Sequence, residues 1–86
     1  MLPIRILYFA WLKDRLGQGE EQASLPEGVV DVGGLRRWMR GRGPRFELAF
    51  AEGSRIRAAV NQDFAADDAP IAAGDEIAFF PPVTGG

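Results

Sequence analysis

An α+β fold, in which a helix covers one face of a mixed β-sheet, is predicted by the order of three patterns along this chain of 86 residues. Apolar residues at every second position predict a strand at the start. Apolar residues spaced three and four apart predict a longer helix in the middle. Further alternating segments follow, and a chain of this size has room for one core. The sequence therefore predicts one small domain of the α+β class.

The first half of the domain is predicted to contain two strands and two helices. Residues 4–9 alternate in polarity and form the first strand, and residues 10–16 form a short helix that ends at Gly17. Residues 21–25 form a weaker second strand. A longer helix begins after Asp31, a typical N-cap residue, and its apolar side chains face the core. These side chains belong to Leu35, Trp38 and Met39.

The second half is predicted to contain a short helical segment and two strands. Two glycines and a proline within residues 41–44 end the long helix, and residues 46–51 form the short helical segment. Residues 56–60 alternate in polarity and form a strand with its apolar side inward. Residues 64–71 carry mixed signals and are expected to be irregular surface structure. Residues 77–80 form the last strand.

Several residue types that carry enzyme chemistry are absent from the sequence. Without Cys there is no disulfide, thiolate nucleophile or soft metal site, and without His the commonest metal ligand and general base are missing. We therefore expect no metal, no bound cofactor and no self-contained catalysis. The apolar stretches are too short to span a bilayer, and no secretory leader precedes them, which predicts a cytoplasmic protein. A net charge of −2 predicts no general nucleic-acid binding.

A local cluster of basic residues contrasts with the acidic balance of the whole chain. Five arginines lie within ten positions, and they are Arg36, Arg37, Arg40, Arg42 and Arg45. A solvated helix face and its exit loop explain such a cluster, and a docking surface for an acidic partner is the alternative.

The C-terminal segment ends in two glycines that follow a Phe-Phe-Pro-Pro sequence. Because Gly85 and Gly86 lack a Cβ atom, they leave the terminal carboxylate on a slender peptide that can enter a narrow site. The two prolines cannot continue a central strand or begin another helix. Residues 81–86 are therefore predicted to form a flexible tail that extends roughly 20 Å from a domain of residues 1–80. An ordinary frayed terminus is the alternative.

Apolar side chains are predicted on both faces of the sheet at the last strand. Ile77 and Phe79 share the face that is covered by the helix, because side chains alternate along a strand. The opposite face is expected to carry an exposed apolar patch, with Phe64 as a possible neighbour. The patch consists of Leu7, Phe9, Ala78 and Phe80. Such a patch on a small domain is a candidate partner surface, although core residues or isolated surface aromatics would give the same pattern.

Three segments of the chain resemble the MoaD family, the small sulfur-carrying subunits of molybdopterin synthase. They are residues 6–10, 58–62 and 74–86, and the resemblance covers essentially the full length, most weakly at residues 17–34 and 40–54. The closing Phe-Phe-Pro-Pro-Val-Thr-Gly-Gly block favours this branch over thiamin sulfur carriers and ubiquitin-like modifiers, which share only the Gly-Gly end. The resemblance implies a β-grasp, ubiquitin-like fold, compatible with the predicted element order.

The resemblance further implies a sulfur carrier in molybdenum cofactor biosynthesis. The Gly86 carboxylate would be adenylated with ATP on a separate activating enzyme and then converted to a thiocarboxylate by sulfur from a persulfide. The loaded tail would enter the large subunit of molybdopterin synthase and give its sulfur to cyclic pyranopterin monophosphate. The chain would be no enzyme by itself. A thiamin-type carrier, a ubiquitin-like protein modifier and a plain interaction module remain alternatives.

The resemblance also assigns roles to individual residues. Gly86 would carry the sulfur, and an apolar surface would bind the activating enzyme and the large subunit in turn, the latter in a heterotetramer. The tail residues are Pro81, Pro82, Val83, Thr84 and Gly85. The interface residues are Phe9, Phe64 and Phe80.

Overall fold

The computed structural model describes residues 2–51 and 55–82, and within them it contains five strands and three helices. In chain order these elements are β1 (Ile4–Tyr8), α1 (Trp11–Leu16), β2 (Glu20–Ala23), α2 (Val32–Arg40), α3 (Pro44–Ala49), β3 (Arg57–Val60), β4 (Asp63–Ala65) and β5 (Glu76–Phe80). None of the helices in these two ranges is long and apolar enough to cross a membrane.

The sheet is mixed, and its strand order is β2-β1-β5-β3-β4. The first and last strands pair in parallel at its centre, with Ile6 opposite Ile77 and Tyr8 opposite Phe79. All other neighbouring strands are antiparallel. A mixed sheet with helices packed against it confirms the predicted α+β class.

The core lies between the helices and one face of the sheet. The alternation predicted for β1 is confirmed, because Ile4, Ile6 and Tyr8 are all buried. On β5 the ring of Phe79 packs edge-to-face on Phe50, with 5.0 Å between ring centroids. The helical residues that complete this core are Leu12, Leu16, Val32, Leu35, Met39 and Ala49.

Helix α2 begins as the sequence predicts. The carboxylate of Asp31 accepts a hydrogen bond of 2.8 Å from the backbone N–H of Gly34, which is an N-cap. Close to this end the backbone N–H of Gly33 donates a 2.8 Å hydrogen bond to the carbonyl of Asp67. A Cβ atom on Gly33 would lie only 3.2 Å from that oxygen, so the glycine allows the close approach.

Two elements differ from the sequence prediction. Helix α3 begins at Pro44, which was expected to terminate the preceding helix, because proline is tolerated at a first helical position where its missing N–H is not needed. Strand β4 lies partly in residues 64–71, which were predicted to be irregular. A two-residue turn at Asn61 and Gln62, both with positive φ, joins β3 to β4 in a tight hairpin.

Smaller differences concern element ends. Helix α1 begins at Trp11 rather than at residue 10, and β2 spans Glu20–Ala23 rather than residues 21–25. Strand β3 begins at Arg57, although Ile56 before it is buried as expected, and β5 begins at Glu76. The ends of helices and strands fray, so shifts of one or two residues are common there, and these shifts leave the predicted buried and exposed faces unchanged.

Candidate functional site

The predicted tail begins where β5 ends. Phe80 is the last residue of β5, and Pro81 and Pro82 follow it outside any helix or strand, each partly exposed. Four predicted site residues lie outside the described part of the chain. They are Val83, Thr84, Gly85 and the predicted sulfur-bearing Gly86. Their roles therefore stay predictions.

One row of apolar side chains crosses four strands on the face of the sheet that points away from the core. The strand register places Leu7 opposite Ala78, Ala78 opposite Ala59, and Ala59 opposite Phe64. Directly opposed residues share a face, and their chain neighbours on β1 and β5 point into the core. The row therefore lies on the outer face.

Three residues of this row, Leu7, Ala59 and Ala78, line a hollow of about 470 Å³ beside the carboxyl end of β5. Ala59 and Ala78 form its floor and are 8% and 9% exposed, because larger neighbours surround their short side chains. The complete lining is Leu7, Phe9, Ala59, Gln62, Glu76, Ala78 and Phe80. We call Leu7, Phe9, Ala59, Phe64, Ala78 and Phe80 together the outer apolar face.

The structure brings the three predicted interface residues together. Phe9 and Phe80 line the same hollow, and the ring centroid of Phe64 lies 5.8 Å from that of Phe80. Phe9 is 49% exposed and Phe64 is 85% exposed. A contiguous group of exposed aromatic side chains around a small apolar floor is suited to bind an apolar partner surface.

Three residues that line the hollow, Ala59, Gln62 and Glu76, were not predicted as part of the apolar patch. The alternation of β3 places Ala59 opposite to Ala58, but only the register with β5 and β4 places it between Ala78 and Phe64. Gln62 was predicted as a turn residue, and the hairpin brings it to the edge of the hollow. The signal for Ala59 was present in the alternation, whereas the position of Gln62 depends on the missed strand β4.

Charged residues border the outer apolar face on one side. Arg5, one row below Leu7 on β1, forms an ion pair of 3.0 Å with Glu20 and a longer one of 3.8 Å with Glu76. Because Arg5 and Glu20 are both about half exposed, these pairs contribute little to stability. They mark the polar rim that commonly surrounds an apolar binding surface.

A hydrogen-bonded network fixes β1 and β2 from the other side of the sheet. The carboxylate of Glu21 accepts hydrogen bonds from the Tyr8 hydroxyl at 2.7 Å, from Gln18 at 3.0 Å, and from both terminal nitrogens of Arg42. The Arg42 guanidinium also packs on two aromatic rings, 4.7 Å from the centroid of Trp38 and 4.6 Å from that of Phe46.

The network changes how its members titrate. Burial raises the pKa of Tyr8, and the hydrogen bond to Glu21 raises it further, so the hydroxyl stays a donor. Burial alone would raise the pKa of Glu21, but the hydrogen bonds from Arg42 and Tyr8 outweigh it and lower that pKa. The hydrogen bond to Glu21 raises the pKa of Arg42. Tyr8 directly precedes Phe9, so the network anchors β1 beside the outer apolar face.

Three arginines of the basic cluster form ion pairs within the domain. Arg36 binds Asp67 at 2.8 Å, and Arg40 binds Glu47 at 2.9 Å. Arg42 binds Glu21 as described above. For these three side chains, a structural role on the helix face and its exit loop is a simpler interpretation than docking of an acidic partner.

A five-stranded sheet with this order, with its first and last strands parallel at the centre, defines a β-grasp, ubiquitin-like protein, as the resemblance implied. The chain belongs to the ThiS family, whose model matches residues 6–86. Within that family its relatives place it in the MoaD group, which confirms the resemblance seen in the sequence.

Two curated relatives match nearly the whole chain. The molybdopterin synthase sulfur carrier subunit of Escherichia coli is 39% identical over 83 residues, which are 96% of this chain and 99% of that protein. The protein of the same name from Haemophilus influenzae is 32% identical over the same proportions.

Solved structures give the same fold. SAMP1 from Haloferax volcanii, also named small archaeal modifier protein 1, is 30% identical with a TM-score of 0.76, and the match covers 98% of this chain and 99% of that one. A complex of subunits 1 and 2 of the molybdopterin-converting factor from Helicobacter pylori matches with a TM-score of 0.64 over 99% of this chain and 100% of that chain. Its identity of 21% makes it a likeness of fold alone.

Proposed function

We propose that this protein is the sulfur carrier of molybdopterin synthase. The support comes from one arrangement in the described structure, in which Phe9, Phe64 and Phe80 gather at the end of β5, where the tail begins. A docking surface at the root of the tail allows a partner to hold the domain while the tail enters its active site. The names of the curated relatives agree with this role.

The proposed chemistry takes place at the Gly86 carboxylate. A carboxylate is a poor electrophile, so one of its oxygens attacks the α-phosphorus of ATP on an activating enzyme and releases pyrophosphate. The terminal sulfur of a protein persulfide then attacks the carbonyl carbon and displaces AMP. A thiol cleaves the resulting S–S bond and leaves a thiocarboxylate on Gly86. The chain needs no Cys for this role, because the sulfur is held on the main-chain terminus.

In this proposal the tail residues allow the terminal carboxylate to reach the active site of a partner. Pro81 and Pro82 stiffen the exit from β5, Val83 and Thr84 extend it, and Gly85 keeps the end narrow. In the large subunit the thiocarboxylate sulfur attacks cyclic pyranopterin monophosphate and forms a thioester that joins the carrier to the pterin. Water then hydrolyses the bond between the Gly86 carbonyl carbon and the sulfur, which leaves the sulfur on the pterin and a carboxylate on the carrier. ATP is consumed only on the activating enzyme, and the chain itself binds no cofactor.

Two partners use the outer apolar face in turn. The large subunit, in a heterotetramer, and the activating enzyme both need the domain held close to the tail, so they bind it one at a time. We place these encounters in the cytoplasm. The hollow with its alanine floor offers each partner room for an apolar side chain, surrounded by the polar atoms of Gln62 and Glu76.

The mass of the protein tests the proposed chemistry. Protein from cells with the complete pathway is expected to show a mass increase that corresponds to exchange of one oxygen for sulfur at Gly86. Deletion of Gly86 should abolish this increase and molybdopterin formation, while the circular dichroism spectrum and the thermal midpoint stay unchanged. Molybdopterin formation by the shortened protein would refute the proposal.

Protein modification is the second candidate function. It is favoured by the likeness to small archaeal modifier protein 1 along nearly the whole chain. In this case a lysine amine attacks the activated Gly86 carbonyl and releases AMP, which leaves an isopeptide bond. Denaturing gels distinguish the two roles, since conjugates persist in reductant and a thiocarboxylate carrier gives only the free chain. Co-purification of a thiazole-forming partner instead of the large subunit would indicate a thiamin-type carrier.

A further inference from the structure

The described residues other than glycine that have a positive φ lie close to the outer apolar face. Among residues 2–51 and 55–82, the residues other than glycine with positive φ are Ala10, Asn61 and Gln62. Ala10 directly follows Phe9, and Gln62 lines the hollow that Phe9 also lines. Residues held in sparsely populated backbone regions persist only where the surrounding structure fixes them, and they concentrate at binding sites.

The hairpin explains two of the three residues. Asn61 and Gln62 form the two-residue turn between β3 and β4, where positive φ is the normal geometry. The Asn61 side chain also donates a hydrogen bond of 3.1 Å to Asp75 and accepts one of 3.0 Å from the backbone N–H of Glu76. This turn therefore has its own local stabilisation.

Ala10 has no such local explanation. Its φ of 57° and ψ of −138° lie in a region that glycine occupies readily and other L residues rarely, outside the left-handed helical region. As the residue before α1 it makes no side-chain cap hydrogen bond. Glycine at this position would remove the strain. The presence of alanine instead therefore indicates a role other than stabilising the fold.

The conformation of Ala10 fixes the position of Phe9. Only Phe9 and Ala10 lie between the end of β1 and the start of α1. The backbone N–H of Phe9 still donates to the carbonyl of Phe79 on β5, at 3.2 Å, while the carbonyl of Ala10 accepts from the N–H of Lys13 at 3.1 Å. The chain therefore passes from strand pairing at Phe9 to the first helical hydrogen bond at Ala10, and Phe9 is held between a strand and a helix.

Phe9 lies at the border between two neighbouring hollows. The first is the hollow of about 470 Å³ described above. The second, of about 710 Å³, is lined by Leu7, Tyr8, Phe9, Ala10, Lys13, Gly19 and Glu20. Leu7 and Phe9 line both hollows, so these two side chains form the border that the hollows share. A partner that occupies both hollows contacts the Phe9 ring, which is 49% exposed, so the position of Phe9 affects the fit.

We propose that Ala10 is a positioning residue, whose strained backbone holds Phe9 ready for partner docking. The proposal rests on the proposed function, in which the outer apolar face is the docking surface. A side chain that is already held in its bound position loses less conformational freedom on binding than a mobile one. A glycine at position 10 would relieve the strain but would let residues 9–11 move.

The variant Ala10→Gly tests this proposal against the cognate large subunit of molybdopterin synthase. We expect its thermal midpoint to rise by about 4 °C, because the strain is removed. We expect the dissociation constant to increase roughly fivefold, as for one side chain that must be immobilised on binding. Backbone 15N order parameters at residues 9–11 should fall in the free variant.

The variant Ala73→Gly is the matched control. Ala73 is exposed in the turn before β5, outside the set of residues with positive φ, and it lies at the opposite end of β5 from Phe80. The same chemical change should lower the thermal midpoint there, since glycine increases the entropy of the unfolded chain, and it should leave the affinity unchanged.

The outcomes separate the two proposals. If the wild-type protein binds and Phe9→Ala weakens binding, but Ala10→Gly binds as tightly as the wild type, the role of Ala10 is refuted and the docking surface stands. A thermal midpoint below that of the wild type for Ala10→Gly would also refute it. If the wild type and Phe9→Ala bind equally, or neither binds, the docking surface itself is wrong, and the role of Ala10 falls with it.

Discussion

Arg42 binds Glu21 through two hydrogen bonds of 2.7 and 3.0 Å and thereby connects the loop after α2 to the edge strand β2. The guanidinium is a planar fork, so both of its terminal nitrogens reach the two carboxylate oxygens at once. The side chains are 25% and 13% exposed, so water screens this pair less than it screens the pairs of the surface.

We predict that Arg42→Ala lowers the free energy of unfolding by about 2 kcal/mol. The substitution leaves a largely covered carboxylate with Tyr8 and Gln18 as its remaining hydrogen-bond donors among the described residues, and it removes the contacts with two aromatic rings. Urea denaturation should report a lower midpoint with an unchanged slope.

Arg5→Ala is the control for this prediction. It removes the ion pair in which Arg5 is 51% and Glu20 58% exposed, together with the longer pair of Arg5 with Glu76. The free energy of unfolding should change by less than about 0.5 kcal/mol. Equal losses for Arg5→Ala and Arg42→Ala would mean that the network on Glu21 contributes no more than a surface pair.

The lowered pKa of Glu21 predicts that part of the free energy of unfolding is lost at acidic pH. A carboxylate whose pKa is lower in the folded than in the unfolded state stabilises the fold above its unfolded value of about 4.5. This stabilisation is lost as the pH falls from there through the folded pKa. Urea midpoints measured between pH 7 and pH 3 should therefore fall less for Glu21→Gln than for the wild type. Parallel curves for the two proteins would contradict the prediction.

Phe64→Ala is predicted to weaken binding of the large subunit by about tenfold, because an exposed aromatic side chain beside an apolar hollow is a typical anchor. The fold should tolerate the change, since the ring is 85% exposed. Leu48→Ala is the matched control, as Leu48 is 74% exposed on α3, away from this face. Titration calorimetry measures both, and an equal effect of the two variants would argue against the outer apolar face.

Asp31→Ala is predicted to lower the free energy of unfolding by about 1 kcal/mol. The carboxylate accepts the Gly34 N–H at the start of α2, and alanine cannot replace it. Asp31→Asn keeps an acceptor at that position and should lose much less. Thermal unfolding of the two variants gives the comparison, and identical midpoints would show that the cap does not stabilise the helix.

Local patterns in the sequence predicted the parts of this fold that depend on neighbours along the chain. The alternation of Ile4, Ile6 and Tyr8 placed them in the core, and Asp31 was correctly predicted as the N-cap of α2. The aromatic residues of the outer face followed from the same period of two, since Phe9 and Phe80 fall on the face opposite to Tyr8 and Phe79.

The features that were missed depend on long-range pairing or on very short elements. Strand β4 has three residues, too few for a visible alternation, and pairing with β3 is what defines it. The bond between Arg42 and Glu21 joins residues 21 positions apart and leaves no local signal. The strain at Ala10 is a property of the backbone, which an alanine in the sequence does not reveal.

The parallel pairing of β1 and β5 has a mechanical consequence. The amino end of β1 and the carboxyl end of β5 lie at opposite ends of the paired strands. A force that pulls these two ends apart acts along the strands, so it loads all the hydrogen bonds between them together instead of opening them one by one. The domain should therefore resist a pull on the chain that follows β5, which is the load that the proposed function would place on it.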